Sequence, residues 1–248
     1  MPKPFADVTA RTQVERFRRL ARTALPAWGL RDATLRLLNH GYNTTFRVDT
    51  ADGRRFALRV NTMPFKTPEH LLAEVSWLAA VSEETGLRVP TPQPTLEGRW
   101  SATVPSPGHG RDLPLVLFSW LEGPNIGSRW TLTQARTVGA AMATLHDHAE
   151  RWTMPPGARL TLFDNVLTDL PNRFGDHPAL NDEAREVLGA AYERAQAFQD
   201  AAFEAGPVIA LHADLHGGNL KWHQGRLSIF DFDDAGLGVP ALDLAIAA

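Results

Sequence analysis

The stretch His212-Ala213-Asp214-Leu215-His216-Gly217-Gly218-Asn219 decides how the whole chain is interpreted. It lies between Val208–Leu211 and Leu220–His223, each of which predicts a strand. It is therefore a loop held by rigid elements, where catalytic side chains tend to lie. Asp214 and Asn219 stand five positions apart, and the two glycines between them let the loop fold back so that both side chains converge. This spacing brings together a carboxylate that can accept a proton and an amide oxygen that can bind a metal ion.

A second acidic stretch, Ile229-Phe230-Asp231-Phe232-Asp233-Asp234, stands at the end of the predicted strand Arg226–Phe230. Asp231 comes twelve positions after Asn219. Hard cations such as Mg²⁺ bind few protein ligands and favour carboxylate and amide oxygens. Asn219 and Asp231 are thus the predicted metal ligands. The other two aspartates of the stretch either serve a second metal ion or remain solvated.

Hydrophobic periodicity predicts a sheet with accompanying helices in the first half of the chain. Alternating apolar and polar residues on both sides of Asp52-Gly53 predict a β-hairpin with one buried face. The predicted strands are Thr34–Leu38, Thr44–Thr50, Arg55–Asn61, Pro94–Leu96, Trp100–Val104 and Leu113–Leu121. Amphipathic spacing predicts helices over Thr12–Leu25 and from Thr67-Pro68 to Gly86.

The turn-rich segment Glu122–Gly127 marks a change of composition, after which the chain is mainly helical. A capping box at Thr131–Gln134 begins one predicted helix, which ends near His146 and His148, interpreted here as packing or surface groups. Asp182–Ala205 is the second predicted helix. The apolar stripe of this second helix consists of Val187, Ala191, Ala195, Phe198 and Ala202. We therefore predict a first domain over residues 1–121, a linker over 122–130 and a second domain over 131–248.

Composition restricts the class of protein. The 248 residues are 44% hydrophobic, which is enough for a sizeable core, and the net charge of −3 shows no basic excess for binding nucleic acid. The absence of cysteine excludes disulfides, cysteine-based zinc sites and thiol catalysis. The N-terminus lacks the apolar stretch of a signal peptide, and no segment is apolar enough to span a bilayer. We expect a soluble, cytoplasmic protein that binds neither nucleic acid nor membranes.

Two features of the first half predict a phosphate site. The loop Asn39–Thr45 joins two predicted strands and contains one glycine, so by itself it is also an ordinary hairpin loop. In Ala57-Leu58-Arg59-Val60, the guanidinium of Arg59 can contact phosphate oxygens and pair with Glu74 of the following helix. The alternative interpretation of Arg59 and Glu74 is a pair of solvated surface charges.

These motifs together resemble the aminoglycoside phosphotransferase family of the protein-kinase-like superfamily. His212–Asn219 resembles the catalytic loop H-x-D-x-x-x-x-N, and the stretch from Ile229 to Ala245 resembles the second motif of the family. The resemblance implies an α+β, bilobal fold with a β-rich N-lobe and a mainly helical C-lobe. It also implies transfer of the γ-phosphoryl group of ATP, with Mg²⁺, to a hydroxyl group. The acceptor remains open among an aminoglycoside, homoserine, choline, a sugar and a protein serine or threonine.

The resemblance also implies roles for individual residues. Asp214 corresponds to the catalytic base, Asn219 and Asp231 correspond to the Mg²⁺ ligands, and Asp243 corresponds to an aspartate that anchors the loop. The residues implied to contact the nucleotide lie on the phosphate loop, in the ion pair and in the hinge Phe118–Leu121. They are Gly41, Asn43, Thr44, Arg59, Glu74, Ser119 and Leu121.

The chain departs from the family pattern in two places. Arg59 replaces the usual lysine, which changes the geometry of the phosphate contact. The chain ends at Ala248, directly after the second motif, whereas relatives continue through further helices that help to wall the substrate site. We therefore expect those C-terminal helices to be missing.

Two other functions compete with phosphoryl transfer. His212, Asp214 and His216 alternate in sequence, so in an extended strand they would share one face and could bind zinc, with Asp231 nearby, as in a metal-dependent hydrolase. A non-catalytic nucleotide-binding protein of the same fold is the other alternative.

Overall fold

Five antiparallel strands form the sheet of the first half of the chain in the computed structural model, which describes residues 5–168 and 170–247. The strands are β1 (Thr34–His40), β2 (Thr44–Asp49), β3 (Arg55–Val60), β4 (Ala102–Ser106) and β5 (Arg111–Ser119). Their order in the sheet is β1-β2-β3-β5-β4. The predicted hairpin is confirmed, since Phe46 of β2 pairs with Leu58 of β3 in a regular register.

Two helices accompany this sheet: α1 (Ala10–Ala24) and α2 (Pro68–Glu84). Helix α1 places Phe17 and Ala21 in the same buried cluster as Phe46 of the sheet. Burial of a large apolar side chain such as Phe17 contributes roughly 1.5–3 kcal/mol. Helix α2 begins after Thr67, which forms a capping box with its first turn. Both helices confirm the sequence prediction to within about two residues.

The predicted strand Pro94–Leu96 is wrong. This segment is irregular, and only Pro92 forms an isolated bridge, with Phe118 of β5. Prolines alternate through residues 90, 92 and 94, and a proline has no N–H group to donate to a strand ladder. The next strand is shifted from its predicted position and runs over Ala102–Ser106.

In its described residues, the second half of the chain forms three helices and two small sheets. The helices are α3 (Leu132–Ala149), α4 (Asp182–Ala205) and α5 (Ala241–Ala247). The strands are β6 (Thr161–Leu162), β7 (Ile209–Leu211), β8 (Leu220–His223), β9 (Arg226–Ile229) and β10 (Gly236–Gly238). They form a three-stranded sheet, β6-β10-β7, and a hairpin, β8-β9. Strands β6 and β10 were not predicted, because two or three residues are too few to show a period.

Helix α4 has the predicted bounds but no buried residue. Val187 and Phe198 of its apolar stripe are 62% and 79% exposed. The helix is held by polar contacts, such as the one from the Asn165 amide to the Tyr192 hydroxyl at 3.2 Å. Among the described residues, no helix is long and apolar enough to cross a membrane.

The chain divides into two compact units. The first comprises Met1–Gly123 with Pro156–Ala158, and the second comprises Pro124–Pro155 with Arg159–Ala248. The five-stranded sheet belongs to the first unit, and the loop His212–Asn219 belongs to the second.

Candidate active site

The loop between β7 and β8 brings Asp214 and Asn219 together as predicted. The Asn219 side-chain amide donates to the Asp214 Oδ2 atom at 2.6 Å and to the Asp214 carbonyl oxygen at 3.0 Å. The backbone N–H of His216 also donates to that carbonyl, at 2.9 Å, and the N–H of Asn219 donates to the His216 carbonyl at 2.9 Å. These bonds close a tight turn, so the carboxylate and the amide have a fixed separation.

His212 is the buried support of this turn. Its Nδ1 atom accepts the Asp214 N–H at 3.2 Å, and its Nε2 atom donates to the Phe230 carbonyl at 3.0 Å. The ring lies 4.4 Å from that of Phe232, centroid to centroid. Burial is the main cause that lowers the pKa of His212 below its usual 6.5, so the ring is neutral at pH 7. A neutral ring with its proton on Nε2 is the form that both hydrogen bonds require.

This buried histidine predicts a pH-dependent stability. The folded pKa of His212 is lower than the unfolded value near 6.5, so the unfolded chain takes up a proton first as the pH falls. The His212 contribution is therefore complete above pH 6.5 and is lost below it, by up to about 1.4 kcal/mol per pH unit. Urea unfolding over a pH series on both sides of that value measures the slope.

A His212→Gln variant is the control for this measurement, since glutamine can donate to Phe230 but does not titrate. Burial and the charges of Arg111 and Arg16 also lower the pKa of His109. His109 therefore adds a pH dependence of stability of the same sign, and this addition is the same in both proteins. We expect a shallower pH slope in the variant. Equal slopes in the two proteins would show that protonation of His212 is not the cause of the pH-dependent stability.

The β8-β9 hairpin brings Phe230, the residue before Asp231, into contact with Asn219. Leu220 pairs with Ile229, and one step further the Phe230 N–H donates to the Asn219 carbonyl at 3.0 Å. Asp231 follows directly, with a left-handed backbone at φ 69°, and Ala213 has the same conformation at φ 62°. Each such residue costs about 1–2 kcal/mol. Residues held in strained conformations cluster at functional sites. Here Asp231 is itself one of the two predicted carboxylates, and Ala213 directly precedes the other, Asp214.

The donor groups fit a divalent cation of the Mg²⁺ type. The Asn219 amide nitrogen makes both contacts with Asp214, so its Oδ1 oxygen is the atom left to face a cation. Asp231 supplies a carboxylate one residue after Phe230, whose N–H donates to the Asn219 carbonyl. One carboxylate and one amide, completed by phosphate oxygens and water, are a normal protein contribution to a Mg²⁺ site.

The structure contradicts the zinc-site alternative. Both ring nitrogens of His212 are used inside the protein, so His212 and His216 do not form a common ligand face. The His216 Nδ1 atom accepts the Gly218 N–H at 3.0 Å, and its Nε2 atom lies 3.5 Å from the Asp214 Oδ2 atom. Within residues 5–168 and 170–247, no three His, Asp or Glu side chains form a group that could hold a metal.

Asp243 of α5 anchors the start of the loop. Its carboxylate is completely buried and accepts the N–H of Ala213 at 2.8 Å and that of His212 at 3.3 Å. The Nε2 atom of His146, on α3, lies 2.9 Å from the Asp243 Oδ2 atom. Sequence reasoning missed this role of His146, because its partner is 97 positions away and no local pattern connects the two.

The predicted linker pairs with the same loop. Gly127 N–H donates to the Gly217 carbonyl at 2.9 Å, and the Asn125 amide donates to the Gly218 carbonyl at 2.7 Å. A Cβ atom at position 217 would lie 1.9 Å from the Gly127 carbonyl oxygen and 2.7 Å from the Trp130 Nε1 atom. Glycine at 217 is therefore required by this close approach, in addition to any need for flexibility.

In the first unit, the structure forms the predicted ion pair. The Arg59 Nη2 atom lies 2.5 Å from the Glu74 Oε2 atom, and both residues are only 5% exposed. The Arg59 Nε atom also donates to the Asn61 side chain at 2.8 Å, and its guanidinium lies 5.3 Å from the centre of the Phe118 ring. The alternative of two solvated charges is wrong, because the pair is buried between β3 and α2.

The other predicted nucleotide residues lie on the phosphate loop and at the end of β5. Asn43 and Thr44 are buried, with the Asn43 Oδ1 atom accepting the Thr62 N–H at 2.9 Å. Gly41 lies at the exposed tip of the loop. Ser119 donates its N–H to the Thr91 carbonyl at 2.9 Å and accepts the Thr91 N–H on its Oγ atom at 2.9 Å. The contacts of these residues with a nucleotide, and that of the half-buried Leu121, remain predictions.

Comparison with known proteins adds an independent observation. A model described as the phosphotransferase enzyme family matches residues 34–248. The chain is 34% identical over 238 residues to an uncharacterized protein of Deinococcus radiodurans, covering 92% of this chain and 66% of that protein. It is 25% identical over 206 residues to the amicoumacin kinase of Bacillus subtilis, covering 79% of this chain and 56% of that enzyme.

A solved structure shows the same fold. The structure of a microcompartment-associated aminopropanol kinase matches with a TM-score of 0.75 and 30% identity, over 92% of this chain and 73% of that one. The predicted α+β, protein-kinase-like fold is thereby confirmed. The chain spans 66% and 56% of the lengths of the two sequence relatives.

Proposed function

The chain belongs to the phosphotransferase enzyme family, and from that premise we propose that it transfers the γ-phosphoryl group of ATP to a hydroxyl group of a small molecule. Kinases acting on aminopropanol and on amicoumacin are among its relatives, which supports a small-molecule acceptor. A cytoplasmic location, where ATP and Mg²⁺ are available, belongs to the same proposal.

One observation carries the proposal: a single turn holds a proton acceptor and a metal-binding amide at hydrogen-bond distance. The Asp214 Oδ2 atom and the Asn219 amide nitrogen are 2.6 Å apart. Asp214 is about one third exposed, so its other carboxylate oxygen can meet an acceptor hydroxyl. Such a fixed arrangement suits phosphoryl transfer, which depends on positioning and on neutralising charge.

Asn219 and Asp231 are the residues that would hold Mg²⁺, through one amide oxygen and one carboxylate. Bound there, Mg²⁺ neutralises charge on the phosphate oxygens. Arg59 would contribute on the nucleotide side, because the buried Glu74 carboxylate holds its guanidinium in one orientation.

Asp214 would orient the acceptor hydroxyl and take its proton as the oxygen attacks the γ-phosphorus. The new bond joins the acceptor oxygen to phosphorus, and the bond between that phosphorus and the β,γ-bridging oxygen breaks to release ADP. General-base assistance of this kind contributes about 10²–10⁴-fold. The hydrogen bond from Asn219 and the support of His212 keep the carboxylate in one rotamer during the step.

The proposal is tested with the full chain, ATP, Mg²⁺ and a panel of acceptors. The panel contains aminopropanol, amicoumacin, homoserine, choline, an aminoglycoside, a sugar and a serine peptide, and each is scored for ADP release and for a phosphorylated product by mass spectrometry. We expect acceptor-dependent ADP release with one of the small molecules. ATP binding without turnover on any acceptor would instead favour the non-catalytic alternative, and transfer only to the peptide would overturn the small-molecule assignment.

A further inference from the structure

We propose that helix α1 is part of the nucleotide site, because Gln13 positions the phosphate loop Asn39–Thr45 through His40. The inference rests on the proposed function, in which this loop covers the nucleotide phosphates. The family model begins at residue 34, so α1, over Ala10–Ala24, lies outside the matched region. Gln13 would therefore be a positioning residue that the family pattern does not include.

A relay of two hydrogen bonds connects α1 to the base of the loop. The Gln13 Oε1 atom lies 3.0 Å from the His40 Nε2 atom, and the His40 Nδ1 atom lies 2.8 Å from the Thr44 Oγ1 atom. His40 is the last residue of β1 and Thr44 the first of β2, and the two are paired across the strands. The relay thus closes the loop at the point where both strands enter it.

The contacts of Gln13 determine the direction of its bond to His40. Its Nε2 atom donates to the carbonyl oxygens of Phe5 at 3.1 Å and Val8 at 3.4 Å, so its Oε1 oxygen faces His40. An oxygen at that position requires a proton on the His40 Nε2 atom. The His40 Nδ1 atom makes the second hydrogen bond of the relay, with the Thr44 hydroxyl. Because both nitrogens are used, the ring cannot turn without losing two hydrogen bonds.

The loop is also held from its other side. The Asn43 Oδ1 atom accepts the Thr62 N–H at 2.9 Å, and the Thr62 hydroxyl donates to the Tyr42 carbonyl. Arg111 fixes this segment by donating to the carbonyls of Thr62 at 2.8 Å and Met63 at 3.1 Å. Hydrogen bonds on both sides therefore hold the loop in one conformation before the nucleotide binds. Such preorganisation strengthens binding, because less ordering is needed when the ligand arrives.

The relay predicts a specific loss of nucleotide affinity. Gln13→Leu and His40→Phe keep helix propensity and ring shape but remove the hydrogen bonds. We expect each to raise the Kd for ATP, measured by calorimetry, by about three- to tenfold. The KM for the acceptor should stay unchanged. The Kd of the double variant for ATP should be no higher than that of the single variant with the larger effect, because both changes break the same relay.

The matched control is Arg22→Leu, an exposed position on the same helix, which should leave the Kd unchanged. Hydrogen exchange of residues 39–45 gives a second readout, independent of catalysis, and should be faster in Gln13→Leu than in the control. Wild-type affinity and exchange in Gln13→Leu would overturn the inference while leaving the proposed function intact. Additive losses in the double variant would also overturn it. A wild-type chain that binds no ATP would overturn both.

Discussion

Replacing Asp214 with alanine is expected to lower kcat for phosphoryl transfer by about 10²–10⁴-fold. The carboxylate is the group that accepts the hydroxyl proton in the proposed mechanism, and no other carboxylate hydrogen-bonds to Asn219 in the described part of the chain. The Kd for ATP should change little, since Asp214 is assigned to the acceptor and not to the nucleotide. Steady-state kinetics with the acceptor found in the panel, together with ATP binding by calorimetry, measure the two quantities.

Two variants make this result specific. Asp214→Asn keeps the shape of the side chain but cannot take up the proton, so it should lose activity nearly as fully as the alanine variant. Asp147→Ala removes an exposed carboxylate from α3 and should leave kcat unchanged. Equal loss of ATP binding and of transfer in Asp214→Ala would move Asp214 from acceptor activation to nucleotide binding. Retention of wild-type kcat would remove it from the mechanism altogether.

The features that sequence predicted well are those set by neighbours in the chain. The loop around Asp214 follows from a strand, two glycines and a second strand, all within sixteen residues, 208–223. The hairpin that carries Asp231 is specified by Gln224-Gly225 between the predicted strands Leu220–His223 and Arg226–Phe230. The capping box at Thr131 fixes where α3 begins, and the structure forms both of its hydrogen bonds.

Contacts between distant segments could not be predicted from the sequence. The bond between His146 and Asp243 joins two helices, and the close approach of Gly127 to Gly217 depends on how the linker lies against the loop. Burial also had to be observed, since the sequence allowed Arg59 to be either solvated or enclosed. Local spacing carries no information on which distant backbone will cover a residue.

Asp243→Ala is expected to destabilise the protein by about 3–5 kcal/mol, the range found when one partner of a buried charged contact is removed. The carboxylate is completely buried and accepts the N–H groups of His212 and Ala213 as well as a contact from His146. Without it, those donors are buried and unsatisfied, which costs about 1–3 kcal/mol for each group. Thermal unfolding followed by circular dichroism should show the loss as a Tm lower by roughly 6–20 °C.

This variant should also lose kcat at temperatures where it is still folded, because Asp243 holds Ala213 in the left-handed conformation that directs Asp214. Leu244→Ala, at a 60% exposed position of the same helix, is the matched control and should change neither Tm nor kcat appreciably. His146→Gln, which can still donate to Asp243, should lose less than Asp243→Ala on both measures. A folded Asp243→Ala protein with wild-type kcat would mean that the loop keeps its conformation without this carboxylate. In that case the bonds from Asn219 and His212 alone would orient the catalytic group.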